Sequence, residues 1–265
     1  MIRIRSSVAA AVALGLGLGL ASAPATAADT PTIVLVHGAF ADTTSWDGVA
    51  AALRADGYRV VVPDNPLRGP ANDAAAVERA IADIDGPIVL VGHSYGGAVI
   101  TNVDDPDVTA LVYIAAFAPV PGEPAQLLLD PLRFPGSRLL PPVLRLAVVD
   151  DTHGIAGKNV DGYVDPAAFH EVFAPDVSAA TAADMIAHQR SIALAANLEP
   201  SGPAAWTHLP SWYLVSGADQ VIPPASQRFM ADRIGATTSE IPASHASLVS
   251  RPDAVATVIE AAATH

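Results

Sequence analysis

The stretch Gly92-His93-Ser94-Tyr95-Gly96-Gly97 holds the residues best suited to chemistry. Gly92 and Gly96 flank Ser94 two positions away on either side. The apolar run Val89-Leu90-Val91 leads in, and a helix-compatible segment leads out. A serine on a sharp strand-to-helix turn has a strained backbone, so its neighbours at those two positions must be very small. Such a turn lifts the hydroxyl clear of the sheet and sets it beside free amides that favour developing negative charge.

A serine hydroxyl is a poor nucleophile until a base takes its proton, and histidine is the usual base. The chain has 8 histidines. His245 lies in Pro242-Ala243-Ser244-His245-Ala246, between the last expected strand and the last expected helix. In a parallel sheet such a loop opens on the carboxyl edge, the same edge as Ser94. The histidine in turn needs a carboxylate to fix its tautomer. Asp219 follows the expected strand Trp212 to Ser216 and supplies it, with Glu123 as the reserve acid. An oxyanion would be held by the backbone N–H of Tyr95 and by a second amide from the loop His37-Gly38-Ala39-Phe40. Ala39 is the first choice there and Phe40 the second.

The elements that must position these groups follow from apolar spacing. Thr32 to Val36, Tyr58 to Val62, Ile88 to Val91 and Val108 to Ala115 read as strands. Trp46 to Ala55 and Ala71 to Ile84 read as helices between them. β-Branched runs alternating with helices imply βαβ units and a parallel sheet covered on both faces. The expected fold is therefore α/β, a doubly wound and mostly parallel sheet.

The alternation breaks at Phe117 and resumes at Trp212, with a helix from Ala225 to Ile234, a strand at Thr238 to Ile241 and a helix from Asp253 to Ala263. Residues 118–207 read as an insertion, and its leucines mark it as a lid packed over the strand ends. Within it a helix is expected from Ala179 to Ala196. Asp150, Asp151, Asp161 and Asp165 lack the spacing of a calcium loop and read as solvated loop acids. Phe40, Phe117, Met185 and Trp206 are candidate apolar contacts for a substrate, and Gln189 and Tyr95 candidate polar ones.

Composition excludes several classes. The 265 residues include 51% hydrophobic and 15% charged residues, too apolar for a disordered chain. No cysteine is present, so thiolate metal sites, disulfides and a cysteine nucleophile are excluded. A formal charge of −13 opposes binding to nucleic acid. Arg3 and Arg5, an uncharged run from Val8 to Leu20 and small residues to Ala28 match a secretory signal cut near Ala27–Ala28. That run is shorter than the ~20 residues a spanning helix needs. The reading is a leader at 1–28, then one exported domain at 29–265, without stable membrane insertion.

Taken together, these motifs resemble the α/β-hydrolase superfamily, and within it the branch of plant methyl esterases, hydroxynitrile lyases and related bacterial esterases. The resemblance runs from about Thr32 to Ala263 and is carried by His37-Gly38-Ala39-Phe40, Gly92 to Gly97, Asp219 with Ile222-Pro223, and Ser244-His245. It implies a Ser94–His245–Asp219 triad, oxyanion amides at Ala39 and Tyr95, a small-molecule ester substrate, and an acyl-enzyme formed without metal or cofactor. Lyase members carry a lysine after the histidine and a threonine in the first loop. Here Ala246 and Gly38 stand at those positions, which favours hydrolysis. Lyase or perhydrolase chemistry on the same triad is the alternative enzymatic reading. A ligand-binding protein of low turnover is the non-enzymatic one.

Overall fold

The computed structural model describes residues 30–265. The expected leader therefore lies outside the described residues. In chain order the elements are β1 (Thr32–Val36), α1 (Asp47–Ala55), β2 (Val60–Val61), α2 (Pro70–Ile81), β3 (Ile88–His93), α3 (Tyr95–Thr101) and β4 (Val108–Ile114). Next come β5 (Leu144–Ile155), β6 (Lys158–Val164), α4 (Pro166–Phe173), α5 (Ala179–Ala187) and β7 (Ile192–Ala193). The chain closes with β8 (Ser211–Ser216), α6 (Pro224–Arg233), β9 (Thr237–Ile241), α7 (Ser247–Ser250) and α8 (Pro252–Ala263).

Six of these strands form one parallel sheet in the order β2-β1-β3-β4-β8-β9. Alternate residues of each strand go to opposite faces, and both faces are apolar. Val34, Val36, Leu90, Leu111, Tyr113 and Val215 pack with α2, α3 and α6 on one face. Ile33, Leu35, Val89, Val91, Val112 and Leu214 pack with α1 and α8 on the other. The continuous β-branched runs are thus a consequence of burial on both faces, and the doubly wound sheet matches the expectation.

β4 and β8 are hydrogen-bonded neighbours, so the chain between them leaves the sheet and returns to it. This excursion builds its own antiparallel sheet, β5-β6-β7, together with α4 and α5.

Two expectations fail here. The helix from Ala179 stops at Ala187, because Gln189 turns its amide onto the N–H and C=O of Val164 and Ile192–Ala193 pair with β6. Nor do Asp150, Asp151 and Asp161 lie in a loop, since they fall on the paired strands β5 and β6, while Asp165 sits between β6 and α4 as the N-cap of that helix. Asp161 is fully buried and takes both terminal nitrogens of Arg68, at 3.1 and 2.9 Å. Asp151 lies 3.2 Å from Nε of the same guanidinium. A buried carboxylate persists only with such a partner. Smaller differences are β2, which shrinks to two residues before Pro63, and α2, which ends at Ile81.

Candidate active site

Ser94 stands between β3 and α3 with φ 53° and ψ −122°, the strained conformation expected of that turn. The flanking glycines are a steric necessity. A Cβ on Gly92 would lie 2.5 Å from the Gly96 carbonyl oxygen, and one on Gly96 would lie 2.5 Å from that of Val36. The Ser94 carbonyl accepts from the N–H groups of Gly97 and Phe117, both at 3.0 Å, which fixes the turn from two sides. Phe117 is buried and serves here through its backbone.

The loops after β8 and β9 bring Asp219 and His245 to the same sheet edge. His245 Nδ1 lies 2.7 Å from Asp219 Oδ2, and His245 Nε2 lies 2.9 Å from Ser94 Oγ. A carboxylate can only accept, so Nδ1 carries the proton and Nε2 is left to accept from the serine hydroxyl. All three residues are buried. Glu123 takes no part, since its carboxylate pairs with Arg233 at 2.7 and 3.0 Å.

Asp219 is held by more than the histidine. Oδ1 accepts from the N–H groups of Val221 (2.7 Å) and Ile222 (3.0 Å), and Oδ2 also accepts from Gln227 Nε2 at 2.7 Å. The His245 loop is tied from the α4–α5 connection. Asp176 accepts from the N–H of Ser244 (2.9 Å) and from the hydroxyls of Ser244 (2.5 Å) and Ser250 (2.8 Å). Partial burial opposes ionisation of this carboxyl, but those donors together hold it below the usual carboxylate range. Sequence reasoning missed both residues. Gln227 carried a signal, eight positions beyond Asp219 on the buried face of α6, whereas Asp176 is brought in only by the fold.

Two further histidines sit under the site. His37 Nε2 accepts from Asn65 N–H at 3.1 Å, so its Nδ1 donates to Gly38 C=O at 2.9 Å. Burial holds His37 below the usual histidine range. His93 contacts His245 C=O through Nε2 at 2.9 Å, and its ring is 4.8 Å from that of His245. Burial, then the neighbouring His245, hold His93 well below that range.

In the first loop the Phe40 N–H donates to Arg190 C=O at 3.1 Å, so of the two candidate amides there Ala39 is the one not spent in this way. Tyr95 is buried and donates its hydroxyl to Asp73, 2.8 Å away. Gln189 is committed to Val164, and the Trp206 indole donates to Pro119 C=O at 2.9 Å. Phe40 and Met185 line one cavity with Asp42 and His188. Phe40 also borders a second cavity of about 120 Å³, walled by Leu129, Leu139, Leu140, Leu144 and Ile192. Among the described residues no three His, Asp or Glu side chains converge into a metal site. No described helix is long and apolar enough to cross a membrane.

Residues 33–258 match the alpha/beta hydrolase family, and the chain belongs to it. It is 31% identical over 251 residues to a pyrethroid hydrolase of Sphingobium wenxiniae, covering 86% of this chain and 85% of that one. A carbendazim hydrolyzing esterase of a Nocardioides species is 34% identical over 148 residues, 50% of this chain and 58% of the esterase. The chain thus spans little more than half the length of that relative. Among solved structures, a methylesterase from Arabidopsis superposes with a TM-score of 0.70 at 15% identity, over 88% of this chain and 99% of that one. This last likeness concerns the fold.

Proposed function

We propose that the protein is an exported serine hydrolase that cleaves carboxylic esters through an acyl-enzyme. The observation carrying this reading is the unbroken line Asp219 Oδ2, His245 Nδ1, His245 Nε2, Ser94 Oγ, with steps of 2.7 and 2.9 Å. In it, His245 takes the Ser94 proton as Oγ attacks the ester carbonyl, and the amides of Ala39 and Tyr95 receive the oxyanion. Asp219 stabilises the imidazolium. His245 then protonates the departing alcohol and activates the water that releases the acid from Ser94.

Residues 118–207 act as the lid, and the leucine-walled cavity beside Phe40 takes an apolar arm of the substrate. The names of the relatives put pyrethroids and carbendazim among the first esters to try. Export rests on the leader pattern of Arg3, Arg5 and the apolar run to Leu20.

The test is hydrolysis of p-nitrophenyl esters from acetate to decanoate by purified protein and by its Ser94→Ala variant. Turnover that vanishes in the variant is the expected result, with a chain-length optimum that sizes the cavity. A folded wild type inert on the whole panel would turn attention to a ligand-binding role.

A further inference from the structure

We infer that the lid is wired to both arms of the oxyanion hole, and that Arg68, Asp161 and Arg190 are positioning residues for the Tyr95 and Ala39 amides. The inference rests on the ester-hydrolase reading above.

The first connection starts on β6. Asp161, fully buried, accepts from both terminal nitrogens of Arg68 and from the hydroxyl of Ser191 at 2.6 Å. The backbone N–H of Arg68 donates to the Asp73 carboxylate, at 3.1 Å from each oxygen. Asp73 is itself fully buried, and its Oδ2 accepts from the Tyr95 hydroxyl at 2.8 Å. Tyr95 contributes its N–H to the oxyanion, so three successive hydrogen-bonded contacts join the lid sheet to that residue.

The second connection reaches the opposite donor from the same lid segment. Arg190 accepts from the Phe40 N–H through its carbonyl and pairs with Asp64 through its guanidinium. Phe40 has φ 63°, a conformation that a non-glycine residue keeps only when its surroundings impose it. The Arg190 carbonyl supplies part of that constraint and so sets the peptide plane next to Ala39. Residues 189–193 of the lid thereby touch the Phe40 loop directly and the segment that carries Arg68 through the Ala193 N–H, which donates to Leu67 C=O at 3.1 Å.

Polar contacts that merely glue the lid down would affect stability and substrate capture. Contacts that set the donors act on the transition state, and the two cases separate by experiment. Asp161→Asn and Tyr95→Phe, singly and together, are to be compared on p-nitrophenyl butyrate, alongside Ser94→Ala. A trifluoromethyl ketone serves as the oxyanion-forming inhibitor, and a branched alkane alcohol as the non-covalent one.

The expected result is a fall in kcat of about tenfold for each single variant, with KM within about twofold. The double variant should lose no more than the worse single variant. Ketone inhibition should weaken in step with kcat while alcohol inhibition holds. Ser191→Ala, which removes one donor to Asp161, gives a smaller fall of the same kind and stands in if Asp161→Asn does not fold. An unchanged kcat, multiplicative losses, or a rise in KM with both inhibitors weakened alike would overturn the wiring. Turnover surviving in Ser94→Ala would overturn the hydrolase reading and this inference with it.

Discussion

Gln227 donates to the same oxygen of Asp219 that receives the His245 N–H, each at 2.7 Å. Its other amide atom accepts from the Ser216 N–H at 2.9 Å, so one side chain joins the end of β8 to the candidate acid. Gln227→Leu removes a donor to a buried carboxylate and orphans a backbone N–H. A loss of about 1.5–3 kcal/mol in stability is expected from chemical denaturation. A kcat reduced about tenfold should accompany it, because Oδ2 loses one of the two groups that aim it at His245 while the Val221 and Ile222 amides hold only Oδ1.

Asp219→Asn keeps the shape of the site but no longer demands a proton on His245 Nδ1. The imidazole can then present N–H toward Ser94, where it cannot act as a base. Ester turnover should fall by about 10⁴, with an unchanged circular dichroism spectrum. A drop of only a few fold would remove Asp219 from the role assigned to it.

Gly38 tests the distinction from lyase chemistry. A Cβ there would lie 2.7 Å from the Ser94 Cβ and 2.9 Å from the His93 carbonyl oxygen. Gly38→Thr therefore pushes against the Ser94 turn, and about 1–3 kcal/mol of stability should be lost along with esterase activity. Release of cyanide from a cyanohydrin by this variant would show that the turn can shift to accommodate a threonine.

Acid should destabilise the fold through His37 and His93. Both are held below the usual histidine range, so they stay neutral in the folded protein while the unfolded chain takes up protons near pH 6.5. The unfolded state then binds more protons below that pH. The stability present at neutral pH is lost as pH falls through 6.5, by up to about 1.4 kcal/mol per pH unit for each histidine. Thermal melts between pH 7.5 and 5 should show a steepening decline, and His93→Gln should roughly halve the slope.

The central sheet was legible because burial on two faces writes unbroken runs such as Ile33-Val34-Leu35-Val36. Ser94, Asp219 and His245 were legible because each sits where a parallel strand ends. The 118–207 region was harder. The alanine-rich stretch after Ala179 carries a helical pattern through Ala196, and only pairing with β6 breaks it. Asp161 looks solvated in a polar stretch, since its partner Arg68 is 93 positions away. Asp73 did leave a trace, an acid on the same four-residue spacing as Val77 and Ile81 along the buried stripe of α2. The Tyr95 hydroxyl that explains it belongs to another element.

Among the described residues β5 pairs with β6 alone, and Leu146 and Val148 on β5 are 54% and 71% exposed. The main sheet ends more safely, in a two-residue strand on one side and in the polar Thr237–Ile241 on the other. A long apolar edge is the part of a molecule that recruits stray strands when solutions are concentrated or warmed. Turbidity on storage should therefore begin at β5, and Val148→Lys is the single change expected to extend shelf life without touching the chemistry.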